Sequence, residues 1–185
     1  MRGVVLMPIM SSIQNDPLLQ DNLVQPILVL GLGNILIQDE GIGVRVIEQL
    51  QRDYEVPAEV EVLDGGTAGM ALYEHIVDRS HVIVVDAVKT GRSPGTLVKL
   101  EDEDIPAFFR NKVSPHQMAL SDILAALKIG GEQLPKMVVV GIEPVTLETG
   151  LEMSDAVLSK LDILVEQTLE CLAELGFSAR PKVRH

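Results

Sequence analysis

The sequence predicts an α/β fold, a three-layer α/β/α sandwich around a mostly parallel, twisted five-stranded sheet. Two observations predict it. Runs such as ILVLGLG (27–33), HVIVVDAV (81–88) and MVVVGIEP (137–144) are apolar at nearly every position, as strands buried on both faces must be. Between them stand segments of helical spacing, and that alternation is the pattern of parallel strands joined by helical crossovers.

Residues 1–25 are polar, contain prolines and lack periodicity, so they read as a loosely held extension in which Met7 and Met10 are alternative starts. One domain then spans 26–178. ILVLGLG runs into a glycine turn, and GIGVRVIEQLQRDY (41–54) follows as a helix. VEVLDGG (60–66) is a short strand ended by Asp64-Gly65-Gly66, MALYEHIV (70–77) a helix, and HVIVVDAV a buried strand ending near Asp86. GTLVKL (95–100) is a short strand behind a turn at Gly91 to Gly95. Ser114 caps, and Pro115 opens, a helix that runs through ALSDILAALKI and stops at Gly130-Gly131. Pro144 cuts off the next strand, a last helix covers 154–175, and residues 179–185 form a basic, frayed tail.

The 185-residue chain is 46% hydrophobic and only 3% aromatic, without Trp; its core is therefore built from Val, Ile, Leu and Met. A formal net charge of −12 repels phosphate backbones and anionic headgroups, which argues against nucleic acid or a membrane as partner. No segment reaches the roughly 18 apolar residues of a membrane span. The opening MRGVVLMPIM is broken by Pro8 and lacks a signal-peptide pattern, so the expected compartment is the cytoplasm. The single cysteine, Cys171, excludes an internal disulfide or a multi-cysteine metal site and reads as a small buried apolar residue.

GLGNILIQDEGIG (31–43) follows a strand and precedes a helix, the context of a dinucleotide-binding turn. The third glycine of that turn is missing, because position 36 is Leu36, and Asp39 and Glu40 stand where a pyrophosphate needs the positive helix end. A cation is the better guest; alternatively the two acids complement the helix dipole, worth about 0.3–1 kcal/mol each. Asp64 and Asp86 end two further strands, at the edge where open α/β sheets carry their ligands. Asp64 reads as a ligand or as a turn former, and Asp86 as a structural or supporting residue.

Of the four histidines, His75 and His81 read as surface or packing residues, and His185 is terminal. His116 lies in the first turn of a helix, whose positive end disfavours an imidazolium and keeps the ring able to ligate a metal. A carboxylate after the first strand, another after the second and this imidazole suit nickel, zinc or copper. Three such ligands leave coordination positions open.

In their order and spacing, GLGNILIQDEGIGVRVIEQL, LDGGTAG, VVDAV, SPHQMALSDIL, GIEP and TGLEMS resemble the nickel–iron hydrogenase maturation protease family over residues 27–155. The resemblance implies an endopeptidase that removes the C-terminal extension of the hydrogenase large-subunit precursor after nickel insertion. It implies that Glu40, Asp64 and His116 bind nickel and serve the cleavage, the nickel arriving on the substrate rather than residing in the enzyme. It also implies a phosphorylase/hydrolase-like fold in which GTLVKL is a short antiparallel strand. The partner is then the large-subunit precursor, met transiently by a chain that is otherwise monomeric. Asp39, Asp86 and Gly41 are expected to shape the loops around the site. No G-x-S-x-G elbow is present and Cys171 lies far along the last helix, so neither serine nor cysteine is the expected nucleophile. Two other functions compete: a nickel-delivery module with the same triad, and a dinucleotide-dependent oxidoreductase with Asp64 on the ribose hydroxyls. The missing glycine and the Asp39-Glu40 pair count against the second.

Overall fold

The computed structural model describes residues 26–101, 104–105 and 115–183, and of 115–117 the backbone alone. The N-terminal extension 1–25, the Ser114 cap, the His116 side chain and His185 lie outside the described residues.

Strand β1 (Ile27–Leu32), buried at every position, leads through a 3₁₀ turn (Gln38–Gly41) into α1 (Ile42–Asp53). Then come β2 (Tyr54–Glu55), β3 (Val60–Gly66), a second 3₁₀ turn (Gly69–Leu72), α2 (Tyr73–Ile76), β4 (His81–Ala87) and β5 (Leu97–Glu101). After α3 (Pro115–Gly130) follow β6 (Lys136–Ile142), α4 (Asp155–Leu158), α5 (Leu161–Glu174) and β7 (Arg180–Pro181).

Five strands form one sheet in the order β3-β1-β4-β6-β5. β1 pairs in parallel with β3 and β4, and β4 with β6, whereas β5 runs antiparallel to β6. GTLVKL is thus the antiparallel strand. The chain leaves β1 for β3 on one side and then crosses back to β4 on the other. The crevice between the carboxyl ends of β1 and β4 is therefore the topological switch point, the usual ligand position in an open α/β sheet.

Side-chain alternation along the strands divides the core. Val29, Ile83 and Val85 face α1 and α5, meeting Val46, Ile47 and Leu164. Leu28, Leu30, Val82 and Val84 face the other way, against Leu120, Ile123 and Leu127 of α3. Helix α1 starts directly on the strand ends: a Cβ at Gly43 would overlap the carbonyl oxygens of Leu32 and Val85. Gly43→Ala is expected to lower stability by about 1–3 kcal/mol through overpacking, read as a lower urea midpoint at unchanged m-value.

Three local expectations change. MALYEHIV forms a 3₁₀ turn and one turn of α-helix, bounded closely by the left-handed backbones of Gly69 (φ 61°) and Asp78 (φ 64°). The last helix is two helices: Lys160 N–H donates to the Val157 carbonyl at 2.9 Å, an i→i−3 bond that tightens the chain between α4 and α5. The tail begins tied rather than frayed, since Arg180 and Pro181 pair with Glu55 and Tyr54 and Lys182 Nζ donates to the Gln51 carbonyl at 2.7 Å. Cys171 is buried on α5, and burial pushes its thiol pKa up. Among the described residues no helix is long and apolar enough to cross a membrane.

Candidate active site

The turn after β1 is organised by Gly33. Its φ of 130° suits glycine, and a Cβ there would overlap the Glu40 carbonyl. Gly33 N–H also donates to the Gly66 carbonyl at 3.1 Å, tying this turn to the one after β3. The close approach of the Glu40 backbone accounts for a glycine at position 33 without a dinucleotide.

Glu40 sits in the first 3₁₀ turn, only 7% exposed, and that turn packs against β4. Asp64 stands exposed at the end of β3, its Oδ1 beside Gly66. Asp86 is fully buried near the end of β4. The first turns of α3 lie over the DGGTAG segment: a Cβ at Gly69 would be 3.9 Å from the Ala119 Cβ. The backbone of His116 lies one turn before Ala119, so Glu40, Asp64, Asp86 and the start of α3 share one end of the sheet.

The faces differ. Asp86 alternates with Val85 and follows Val82 and Val84, toward the α3 layer. Asp64 follows Val60 and Val62, toward the α1 layer, while the adjacent Gly65 backs onto Leu30 and Leu32 of the α3 side. Among the described residues no three His, Cys, Asp or Glu side chains gather as a metal-ligating group; the His116 ring lies outside that set.

Asp39, adjacent to Glu40 in sequence, does something else. It is fully buried, and its carboxylate accepts four hydrogen bonds from the 144–154 loop. Oδ2 takes Val145 N–H (2.9 Å), Thr146 N–H (3.0 Å) and the Ser154 hydroxyl (3.0 Å), and Oδ1 takes Ser154 N–H (2.7 Å). The Thr146 hydroxyl donates to Gln38 Oε1 at 2.7 Å, and Gly150 exchanges backbone bonds with Gln38 and Leu36, each at 2.9 Å. Asp39 thereby joins two loops and fixes the backbone that carries Glu40. Gly41 completes the turn by close approach, as a Cβ there would lie 3.0 Å from Ile35 Cα.

Sequence reasoning gave no role to Glu143, which directly follows the last residue of β6. The same rule, an acid at a strand's carboxyl end, marks it. Its Oε2 accepts Thr90 N–H (2.7 Å) and the Thr90 hydroxyl (2.8 Å), and Oε1 accepts Gly91 N–H (3.3 Å). Burial alone would raise its pKa, but the donors from Thr90, Gly91 and Arg92 outweigh it and hold the carboxyl below its ordinary value. A depressed folded-state pKa contributes stability that is present above the unfolded value, about 4.3, and is lost as pH falls through the folded value. Glu143→Gln is expected to lower unfolding free energy by about 1–3 kcal/mol at pH 7. The gap to the unmodified chain should narrow as the pH falls below about 4, which urea midpoints at pH 7 and pH 3 would record.

His75 and His81 have local roles. His75 Nδ1 lies 3.2 Å from Glu61 Oε1, a carboxylate that also pairs with Arg79, and His81 Nδ1 lies 3.0 Å from the Ser80 hydroxyl.

Comparison with known proteins agrees with this architecture. The family profile HycI, hydrogenase maturation protease, matches residues 44–171. The chain is 46% identical over 157 residues to hydrogenase 2 maturation protease of Escherichia coli (strain K12), covering 84% of this chain and 96% of that one. It is 39% identical over 152 residues to hydrogenase expression/formation protein HupD of Rhodobacter capsulatus, covering 81% and 72%. Its structure matches hydrogenase maturating endopeptidase HybD from E. coli with a TM-score of 0.80 at 46% identity, over 84% of this chain and 97% of that one. For the nickel–iron hydrogenase maturation protease HybD of Thermococcus kodakarensis the TM-score is 0.65 at 25% identity, over 78% and 97%. With a profile match over most of the ordered domain and relatives of 46% and 39% identity aligned over 96% and 72% of their length, the chain belongs to the hydrogenase maturation protease family.

Proposed function

We propose that the chain is an endopeptidase that removes the C-terminal extension of a nickel–iron hydrogenase large-subunit precursor after nickel insertion, recognising the nickel carried by that substrate. The observation that carries this reading is the placement of buried Glu40 at the switch point, with further carboxylates and the start of α3 at the same end of the sheet. Two carboxylates and an imidazole make an N/O set suited to nickel, and three ligands leave room for a metal that brings its own from the substrate.

The family resemblance supplies Glu40, Asp64 and His116 as that set. A second set, Glu40, Asp86 and His116, is favoured by one specific observation: alternation turns Asp86 toward the α3 layer and Asp64 away from it. In either set, docking on nickel positions the adjoining peptide. Water is then activated by the metal or by a carboxylate acting as general base.

The test is mass spectrometry of nickel-loaded and nickel-free precursor after incubation with the chain. Loss of a short C-terminal peptide from the loaded form alone is the expected result. An unchanged mass for a verified cognate precursor in both forms would favour the nickel-delivery reading, and equal cutting of both forms would remove the nickel checkpoint.

A further inference from the structure

Ten large apolar residues are exposed among the described residues, and six of them, Ile35, Leu36, Met70, Met118, Val145 and Leu151, lie on segments at the site end of the sheet. They form two shoulders. On one, the Gly150 N–H···O=C Leu36 bond sets Leu36 beside Leu151, Ile35 packs at Gly41, and Val145 is held by Asp39. On the other, Met70 and Met118 flank the contact of Gly69 with Ala119. Glu40 follows Leu36 on the first shoulder's own turn, and Asp64 precedes Met70 at the end of β3.

Outside the start of α3, which carries His116, the charge on these segments has one sign. Residues 34–41, 64–70 and 144–154 contain Asp39, Glu40, Asp64, Glu148 and Glu152, and no Lys, Arg or His. Asp64, Glu148 and Glu152 are exposed beside the apolar shoulders. Apolar area rimmed by charge of one sign is the usual make-up of a protein-binding surface. The Asp39 bonds hold the backbone at Val145, and the Gly150 bonds to Leu36 and Gln38 hold it at Leu36 and beside Leu151, which limits the ordering cost of binding. The two methionines supply adaptable contacts.

We propose that these shoulders are the docking face for the precursor, whose chain on either side of the scissile bond presents aliphatic side chains with lysines or arginines beside them. The inference rests on the function proposed above. It is favoured because the surface is continuous with the crevice that the scissile segment must reach, and because its acidic rim complements basic residues, steering their approach.

The test compares Leu36→Ser/Leu151→Ser with Ile129→Ser, which alters an 87% exposed residue near the far end of α3. Affinity for nickel-loaded precursor is read by calorimetric titration, and cleavage by kcat and KM. For the double variant Kd and KM should rise about tenfold to a hundredfold at unchanged kcat, and Ile129→Ser should change neither. Unmodified chain should bind more weakly as salt is raised. A double-variant Kd near the unmodified value, or an equal loss in Ile129→Ser, overturns the proposal. The single changes are compared instead if the pair lowers the unfolding midpoint. Cleavage by the unmodified chain reports separately on the proposed function. Binding without cutting sinks that function while the variants still decide the docking face; no binding at all overturns both.

Discussion

Glu40→Ala and His116→Ala are expected to reduce processing of nickel-loaded precursor by about 10³-fold or more, roughly 4 kcal/mol of lost transition-state stabilisation. Of the two aspartates, the one that completes the set should match that loss and the other should not. Glu40 is buried on a turn packed against β4, so its carboxylate is held at the crevice rather than in free solvent. The strand order places Asp86 on the strand that borders the switch point, and Asp64 on β3, at the edge of the sheet. Asp86 is inside the core, so the informative change is Asp86→Asn, which keeps the volume while removing the charge. It should be set beside Asp64→Asn at equal fraction folded. Loss confined to Asp86→Asn selects the Glu40, Asp86 and His116 set; loss confined to Asp64→Asn selects the set implied by the family.

Asp39→Asn should lower kcat by about a hundredfold, because Asp39 is a positioning residue for Glu40, with a smaller rise in Kd from the loosened backbone at Val145. An amide can keep one acceptor, but its NH₂ group then faces N–H donors that the carboxylate now satisfies. The loss of charge-assisted bonds should also cost about 1–3 kcal/mol of stability. Kinetics must therefore be read at a temperature where the variant is fully folded. A kcat unchanged from the unmodified chain in the folded variant would show that the loop clamp does not govern Glu40.

The layers and the strands were legible because a parallel sheet buried on both faces leaves long apolar runs in sequence. The division of labour between Asp39 and Glu40 was not. The two are adjacent and chemically alike, and what separates them is a loop whose first donor, Val145, lies 106 residues away in sequence. The choice between Asp64 and Asp86 was hidden for a related reason. Both end strands, but sheet order and the side of the sheet taken by α3 decide which of them lies toward the α3 layer, and neither is a local property. Glu143 was within reach, since it stands at a strand end like the two aspartates. The break at Ser159-Lys160 carries neither Gly nor Pro, so no local signal marked it. The pairing of β2 with β7 arises only once the fold brings residues 54–55 and 180–181 together.

In the proposed function this chain touches the nickel of its substrate. The most direct measurement is the nickel K-edge X-ray absorption of a loaded precursor whose cut site has been changed to resist cleavage, taken alone and saturated with the chain. Binding should add nitrogen and oxygen neighbours at roughly 2.0–2.2 Å, the range of imidazole and carboxylate ligands, and Glu40→Ala should lose part of that addition. A nickel spectrum unchanged at full saturation would contradict the claim, and would place recognition of the loaded precursor in its protein surface alone.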